Sequence, residues 1–494
     1  MERRRPLVDS PGVNLARVIA VLAPADVVHR SDVNISELAY DSRAVESGAL
    51  FFCVSGAQAD GHEFAADALD RGAVALVVER PLELRAPQLI VSDARKAMAA
   101  IAATFYGHPS HELAVAGVTG TNGKTTTSFL VFATLAAAGL RPGLLGTIES
   151  RVGGERRPAL RTTPEAIDLQ RTLREMVDVG DRSCAIEATS HGAELGRLEG
   201  VRFAALAFTN LSHDHLDFHG TLERYFAAKR QLFLAADRPP AAVNTDDAHG
   251  RRLADELRGL DHERLLTFGF AVGADIRPEG LELTSDGARF TAAGIPIRTH
   301  LLGRFNVENV LACVATARLL GLPDDAVARG VESVRGVPGR FEPVDEGQPF
   351  AVVVDYAHTP DSLANALRTA RGLSSGRVIC VFGCGGDRDR SKRPLMGEVA
   401  SRGADLVVVT SDNPRSEEPH AIAAEIVAGA ATDVEVELDR ARAIARALEI
   451  ALPGDVVLVA GKGHEQGQEI AGRVLSFDDR EVAREALQRL ATRT

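Results

Sequence analysis

Apolar positions in this chain come in short runs. Each run is closed by a glycine or polar cluster and followed by a longer stretch with helical spacing. Residues 49–54, 73–78, 113–118, 143–148, 184–187 and 203–209 are of this kind, as are 351–355, 377–382, 405–410 and 455–460. Helical patterns lie between them, for example at 61–71, 124–135 and 164–177. Buried strands alternating with helices predict mostly parallel α/β sheets. From 264 to 302 the pattern changes to short alternating runs with turns, which predicts a small antiparallel addition. Residues 301–320 then read as a loop and a long apolar helix. A chain of 494 residues is too long for one core. The expected division is a small α/β domain over 1–110, a doubly wound central domain over 111–337 and a third α/β domain over 338–494.

Residues 113–127 organise the rest. An apolar strand leads into Gly120, Thr121, Asn122 and Gly123, and Lys124 opens a helix. Glycines let backbone N–H groups approach an anion, a helix N-terminus adds favourable charge, and Lys124 can reach outer phosphates. Thr125 would put its hydroxyl on Mg²⁺. The usual G-x-x-x-x-G-K-[ST] spacing is not met, since Val118 stands at the first glycine and the glycines fall at 117 and 120. The central domain is therefore expected to be a P-loop-type ATPase fold. A Gly-rich turn without a ligand is the plainer alternative.

Ligands of doubly wound sheets gather beyond the carboxyl ends of strands. Thr119, Glu187 and Asn210 fall there. Glu187, His215 and the Thr125 hydroxyl can share divalent ions that bridge ATP phosphates. His213 and His219 read as surface or core residues, and Lys229 has the pattern of a solvated helix lysine. In the third, Rossmann-like domain four strands end in polar clusters: 355–358, 385–388, 411–415 and 461–465. Their convergence on one sheet edge argues for a site. The polar loops at 41–43 and 56–61 are weak signals alone.

The formal net charge of −12 argues against nonspecific nucleic-acid or membrane binding. Anionic ligands must be gathered by local basic groups. Cys53, Cys184, Cys313, Cys380 and Cys384 lack zinc-like spacing and read as reduced core residues, as in a cytoplasmic protein. The basic start at residues 1–5 is followed by no apolar segment of signal length, and no run approaches a membrane span.

Taken together, several motifs resemble the Mur ligases, the ATP-dependent amide-forming enzymes of peptidoglycan assembly. They are Thr-Gly-Thr-Asn-Gly-Lys-Thr-Thr at 119–126, Glu187, the Asn-Leu-Ser-His-Asp-His-Leu-Asp run at 210–217, the 302–309 segment with Asn306 and Asn309, Gly-Arg-Phe-Glu at 339–342 and Asp-Tyr-Ala-His at 355–358. Residues 41–43, 190–192, 383–388 and the Asp-Asn-Pro-Arg run at 412–415 resemble the diaminopimelate-adding, MurE-type branch. The resemblance spans nearly the whole chain in order.

It implies addition of meso-diaminopimelate to UDP-N-acetylmuramoyl-L-alanyl-D-glutamate through an acyl phosphate, in the cytoplasm, by a monomer. Gly117, Val118, Thr119, Gly120, Thr121, Asn122, Gly123, Lys124, Thr125 and Thr126 would meet ATP, with Asn306, Arg340 and Asp355. Lys124, Glu187, His215 and Lys229 would be catalytic. Thr125, Glu187, His215 and a CO₂-carbamylated Lys229 would hold two Mg²⁺. Tyr40, Ser42, Ala57, Gln58 and Ala59 would meet the uridine diphosphate end, and Thr162, Thr163, Thr189 and Arg197 the sugar-peptide. Thr189 replaces a serine and keeps its hydroxyl; Leu195 stands where glutamine is common and forfeits a hydrogen bond. Arg388, Asp412, Asn413, Pro414, Arg415, Gly461 and Glu465 match the amino-acid pocket. Arg415 can hold the distal carboxylate of diaminopimelate bidentately. Left unpaired by lysine, such an arginine would discriminate by roughly 10⁴-fold, against about 10- to 200-fold for an apolar pocket. The alternatives are that Arg415 caps a helix or pairs with Glu417 or Glu418, that the enzyme adds lysine or extends folate with glutamate, or that the chain is a nonenzymatic ATP-binding scaffold.

Overall fold

The structure, a computed structural model, describes residues 12–56 and 59–492. The chain divides into two compact units. The first comprises Met1–Gly117, Gly139–Leu206 and Gln231–Pro240; the second comprises Val118–Ala138, Ala207–Arg230 and Ala241–Thr494.

The first unit opens with a five-stranded sheet in the order Asp26–Val28, Gln88–Ile90, Ala73–Val78, Ala49–Phe52, Glu37–Ala39. All pairings are parallel except that of Asp26–Val28. Continuous Val, Leu and Phe runs form it because both faces are covered. Leu50, Phe52 and Val77 pack with Met98 and Ile101 of helix Ala94–Phe105 on one side. Phe51, Cys53, Leu76 and Val78 fill the other. Further along the same unit, Ser183–Glu187 pairs parallel with Pro142–Leu145. A hairpin of Glu149–Val152 and Glu155–Pro158 extends from that strand. The hairpin was not expected from the hydrophobic pattern, because its strands are charged and mostly solvated. The adjacent Gly153 and Gly154 at its turn were the legible signal.

In the second unit, helix Lys124–Ala137 packs against Arg304–Leu319, which is apolar around nearly its whole circumference and correspondingly buried. The antiparallel addition is present as Glu279–Thr284, Gly287–Ala292 and Ile295–Thr299. Its expected start at 264 is corrected: Leu265–Phe268 is instead a parallel strand beside Ala241–Asn244. Both strands are too short to separate from loop by period alone.

The C-terminal sheet of the second unit runs Glu342–Pro343, Ala351–Asp355, Val456–Ala460, Val378–Phe382, Leu406–Val409, Glu435–Val436. Only the Glu342–Pro343 edge strand is antiparallel. Helices cover both faces, giving two apolar layers, one around Leu363, Leu367, Met396 and Ile426 and one around Ile444, Leu448 and Leu487. Because its central strands are parallel, all four polar clusters emerge at the same edge.

Candidate active site

The second unit begins with Val118 and Thr119, the last two residues of strand Ala114–Thr119, which lead into a loop braced by residues 209–210. Thr121 N donates to the Asn210 carbonyl and Asn122 N to Asn210 Oδ1, each at 2.9 Å; Thr209 Oγ1 donates to the Asn122 carbonyl at 2.6 Å. Gly120 and Gly123 have φ of +150° and +87°. A Cβ on Gly120 would lie 1.9 Å from Thr209 Oγ1, and one on Gly123 2.3 Å from Asn309 Oδ1. No other residue fits these two places. Lys124 Nζ folds over the loop, donating to the carbonyls of Gly120 at 3.0 Å and Thr121 at 2.8 Å.

Lys229 lies in helix Leu222–Arg230 with its side chain inside the protein, only 1% exposed. The sequence expectation of a solvated lysine is therefore wrong on its own terms: the helix turns this position inward, beside Tyr225 and Phe226. Its Nζ donates to the Gly120 carbonyl at 2.8 Å and lies 4.6 Å from the Tyr225 ring centre. Burial, with the positive charge of Lys124, pushes its pKa well below the ordinary lysine range. A neutral amine is the form that attacks CO₂, so the residue fits carbamate formation.

Next to it, Asp214 is buried between two imidazoles, His215 Nε2 and His358 Nε2 each lying 3.5 Å from its Oδ2. Burial raises the Asp214 pKa, but His358, His215 and Lys392 together hold it well below the usual range. His213 pairs with Asp389 at 2.8 Å, and His219 is buried with its ring 5.0 Å from that of Tyr225. Among the described residues no group of three or more His, Cys, Asp or Glu forms a ready cation cage. Mg²⁺ bound mainly through phosphate oxygens, water and one or two protein ligands needs none.

Arg340 reaches back to the phosphate-loop helix, its Nη2 donating to Thr125 Oγ1 at 2.9 Å while its guanidinium covers the Tyr356 ring at 4.5 Å. Asp355 Oδ2 accepts from Phe341 N at 2.7 Å, and burial raises its pKa against the pull of Arg340. Asn306 Nδ2 donates to the Leu302 carbonyl and its Oδ1 accepts from Asn309. Asn122 Nδ2 donates to Asp361 Oδ2 at 2.9 Å.

The four carboxyl-end clusters do meet. Gly461 N donates to the Asp355 carbonyl, and the His464 ring lies 5.2 Å from that of Tyr356. Glu465 Oε2 accepts from Asn413 Nδ2 at 2.8 Å and from Lys462 Nζ at 3.0 Å; Lys462 Nζ also donates to Asn413 Oδ1 at 3.0 Å. These bonds fix which way the Asn413 amide points. Arg415 donates through Nη1 to the Gly386 carbonyl at 2.6 Å, and its Nε lies 3.3 Å from Glu469 Oε2. Neither Glu417 nor Glu418 is its partner; Glu417 pairs instead with the buried Arg393. Gln468 Nε2 donates to the Asp412 carbonyl, and a Cβ on Gly386 would meet the Pro414 carbonyl at 1.9 Å. Arg388 is exposed.

Two supports were not anticipated. Lys462, itself part of the 461–465 cluster, is fully buried there. Arg440, also buried, pairs with Asp479 at 2.6 Å and donates to the carbonyls of Ser411 and Ala460, bracing the loops that begin there. Nothing local marks Arg440, since its partners are 20 to 39 residues away.

In the first unit, Glu187 accepts from Thr147 N at 2.8 Å and Thr147 Oγ1 at 3.0 Å. Thr162 Oγ1 is 3.1 Å from Thr147 Oγ1. Thr163 Oγ1 donates to the Glu187 carbonyl and accepts from Thr189 Oγ1 at 2.9 Å, while Thr189 also caps helix Ser190–Glu194. Arg197 pairs with Glu165 at 2.8 Å, and Arg95 and Arg161 share the same carboxylate. Leu195 is half-buried just past the helix end. Tyr40 donates to Asp168 at 2.6 Å, Ser42 is buried, and the Ala59 carbonyl accepts from Gly56 N. Ala57 and Gln58 lie outside the described residues.

Three family models match the chain: Mur ligase family, catalytic domain, over 34–106; Mur ligase middle domain over 118–317; and Mur ligase, glutamate ligase domain, over 339–463. The UDP-N-acetylmuramoyl-L-alanyl-D-glutamate–2,6-diaminopimelate ligase of Solibacter usitatus is 49% identical over 470 residues, covering 93% of this chain and 94% of that protein. The chain belongs to the Mur ligase family. The Mur ligase of the same name from Geobacillus kaustophilus is 45% identical, covering 94% of this chain and 96% of its own. A solved Mur ligase structure of that name superposes with a TM-score of 0.66 at 35% identity, over 93% of this chain and 96% of the other. The three-domain α/β architecture of Mur ligases is thus the architecture of this chain. All five cysteines are free and buried, and among the described residues no helix is long and apolar enough to cross a membrane.

Proposed function

We propose that the protein is an ATP-dependent ligase that joins meso-diaminopimelate to UDP-N-acetylmuramoyl-L-alanyl-D-glutamate through an acyl phosphate. The reading is carried by near-half identity, along almost the full length of both chains, to a ligase of that name. The pocket of Asn413, Arg415 and Glu465 supports the choice of amine. We take the domains to be 1–110 for the uridine end, 111–337 for ATP and 338–494 for the amino acid, in a cytoplasmic monomer.

Both chemical steps develop negative charge on phosphoryl or carbonyl oxygens, so fixed cations and donors carry the catalysis. The loop from Thr119 to Thr126 would cradle the nucleotide with its N–H groups. Lys124 would exchange its two loop carbonyls for phosphate oxygens. Arg340 and Asp355 would hold the nucleotide from the C-terminal side, with Asn306 behind. Two Mg²⁺ ions, when bound, neutralise phosphate charge; Thr125, Glu187, His215 and carbamylated Lys229 would hold them. Carbamylation turns Lys229 from a cation whose charge burial disfavours into an anion suited to a metal. Asp214 would orient His215 and His358. Thr162, Thr163, Thr189 and Arg197 would align the peptide, and Tyr40, Ser42 and residues 57–59 the uridine end.

In the amino-acid pocket Glu465 would take the distal ammonium and Arg415 the distal carboxylate, with Asp412, Pro414, Gly461 and Arg388 shaping the mouth. Mass spectrometry of the product tests the proposal. A gain equal to diaminopimelate minus water, formed only with ATP, is expected; product carrying lysine or glutamate in its place would overturn it.

A further inference from the structure

Arg415 already holds a carboxylate of its own chain. Glu469 Oε2 lies 3.3 Å from Arg415 Nε, while Nη1 is occupied by the Gly386 carbonyl. Backbone contacts fix Glu469 there. Its carbonyl accepts from Arg415 N at 3.0 Å, and its N–H donates to Asn413 Oδ1 at 3.0 Å. It sits in strand Gly467–Ile470, hairpin partner of Arg473–Ser476, and Ala471 N donates back to the Arg415 carbonyl at 2.8 Å. The other nearby carboxylates have partners of their own, Glu417 in Arg393, Glu465 in Lys462 and Asn413, and Asp387 in Ser416, though Asp387 also feels the charge of Arg415. The side chains of Arg415 and Glu469 are 22% and 42% exposed, so a ligand can reach the pair and part it.

We propose that Glu469 tempers the amino-acid specificity of this pocket, as a resident carboxylate that the distal carboxylate of diaminopimelate displaces from Arg415. The inference rests on the ligase reading above. It changes the arithmetic of discrimination. Diaminopimelate gains only the difference between two carboxylates on one guanidinium. Lysine leaves the Arg415–Glu469 pair intact, so it orphans no cation. The margin against lysine is then smaller than the roughly 10⁴-fold of a site left with an unpaired polar group. Glu469 thus lowers both the affinity for diaminopimelate and the preference for it.

The test is a double-mutant cycle. KM and kcat for meso-diaminopimelate and for L-lysine would be measured, at saturating ATP and nucleotide-peptide, in wild type, Glu469→Gln, Arg415→Ala and the double variant. Glu469→Gln is expected to lower the diaminopimelate KM by about two- to fivefold, the factor carried by a partly exposed ion pair. The lysine KM should not fall, so the kcat/KM ratio of the two amines rises. In the Arg415→Ala background the same substitution should bring no such fall. Glu469→Ala carries the same expectations where the glutamine variant folds poorly. A diaminopimelate KM that stays level or rises in Glu469→Gln overturns the proposal, as would an equal fall without Arg415. Wild type inert with both amines would instead overturn the ligase reading on which it stands.

Discussion

Lys229 shows how far a single residue can depart from its type. Burial, with the positive charge of Lys124 nearby, makes the charged form costly and lowers the amine's pKa well below the range of a surface lysine. If it works as a carbamate near the transferring phosphate, Lys229→Ala should cut ligation by roughly 10²- to 10³-fold or more. Circular dichroism should show the fold retained; normal activity in that variant would remove the assignment. Arg415→Ala should raise the diaminopimelate KM by about 10- to 100-fold, the range of a charge-assisted hydrogen bond, with little change for ATP. Unchanged KM values for both substrates would make Arg415 structural. His464 gives a pH prediction. Burial, with Arg340 and Arg480 nearby, lowers its pKa to about 3, and its Nδ1 is buried without a hydrogen-bond partner. The unfolded chain takes up this proton near pH 6.5, so stability from the neutral ring is complete above 6.5 and is lost as pH falls towards 3. Between pH 6.5 and 5 wild type should lose about 2 kcal/mol more than His464→Gln in urea denaturation. Equal losses would place the imidazole in water.

At the scale of elements, the C-terminal sheet edge is assembled by buried ion pairs and tight backbone contacts. Arg440→Met would leave Asp479 as an uncompensated buried charge and should destabilise the protein by about 3–5 kcal/mol, measurable by denaturant unfolding. A loss below 1 kcal/mol would show the pair to be solvated. The sequence made most of this edge legible: apolar runs at 351–355, 377–382, 405–410 and 455–460 each ended in a polar cluster, and the four clusters meet. What it could not reveal was the scaffold beneath them. Arg440 and Asp479 look like ordinary helix-end residues until the chain closes on itself, and Lys462 looks like a solvated lysine between two glycines. The charged hairpin from Glu149 to Pro158 escaped for a related reason, since its strands bury little and leave no period to read. Lys229 has the pattern of a solvated lysine and is instead buried, because one turn of helix decides whether a lysine faces water; only the family resemblance singles it out for a role.

Across the whole molecule, a net charge of −12 surrounds sites that must gather anions, so each site carries its own fixed cations: Lys124 and Arg340 near the loop, Arg415 and Lys462 at the C-terminal edge, Arg95, Arg161 and Arg197 around Glu165. Exposed anionic attraction would fade with salt, whereas these partly buried groups should hold. The central claim is that this set of sites serves one reaction. Phosphate release by the purified protein tests it most directly, with ATP, Mg²⁺ and UDP-N-acetylmuramoyl-L-alanyl-D-glutamate, and meso-diaminopimelate, L,L-diaminopimelate or L-lysine supplied in separate reactions. Turnover with meso-diaminopimelate well above that with lysine is the predicted result. A preference for lysine, or silence with every amine in a folded protein that binds ATP, would contradict the account.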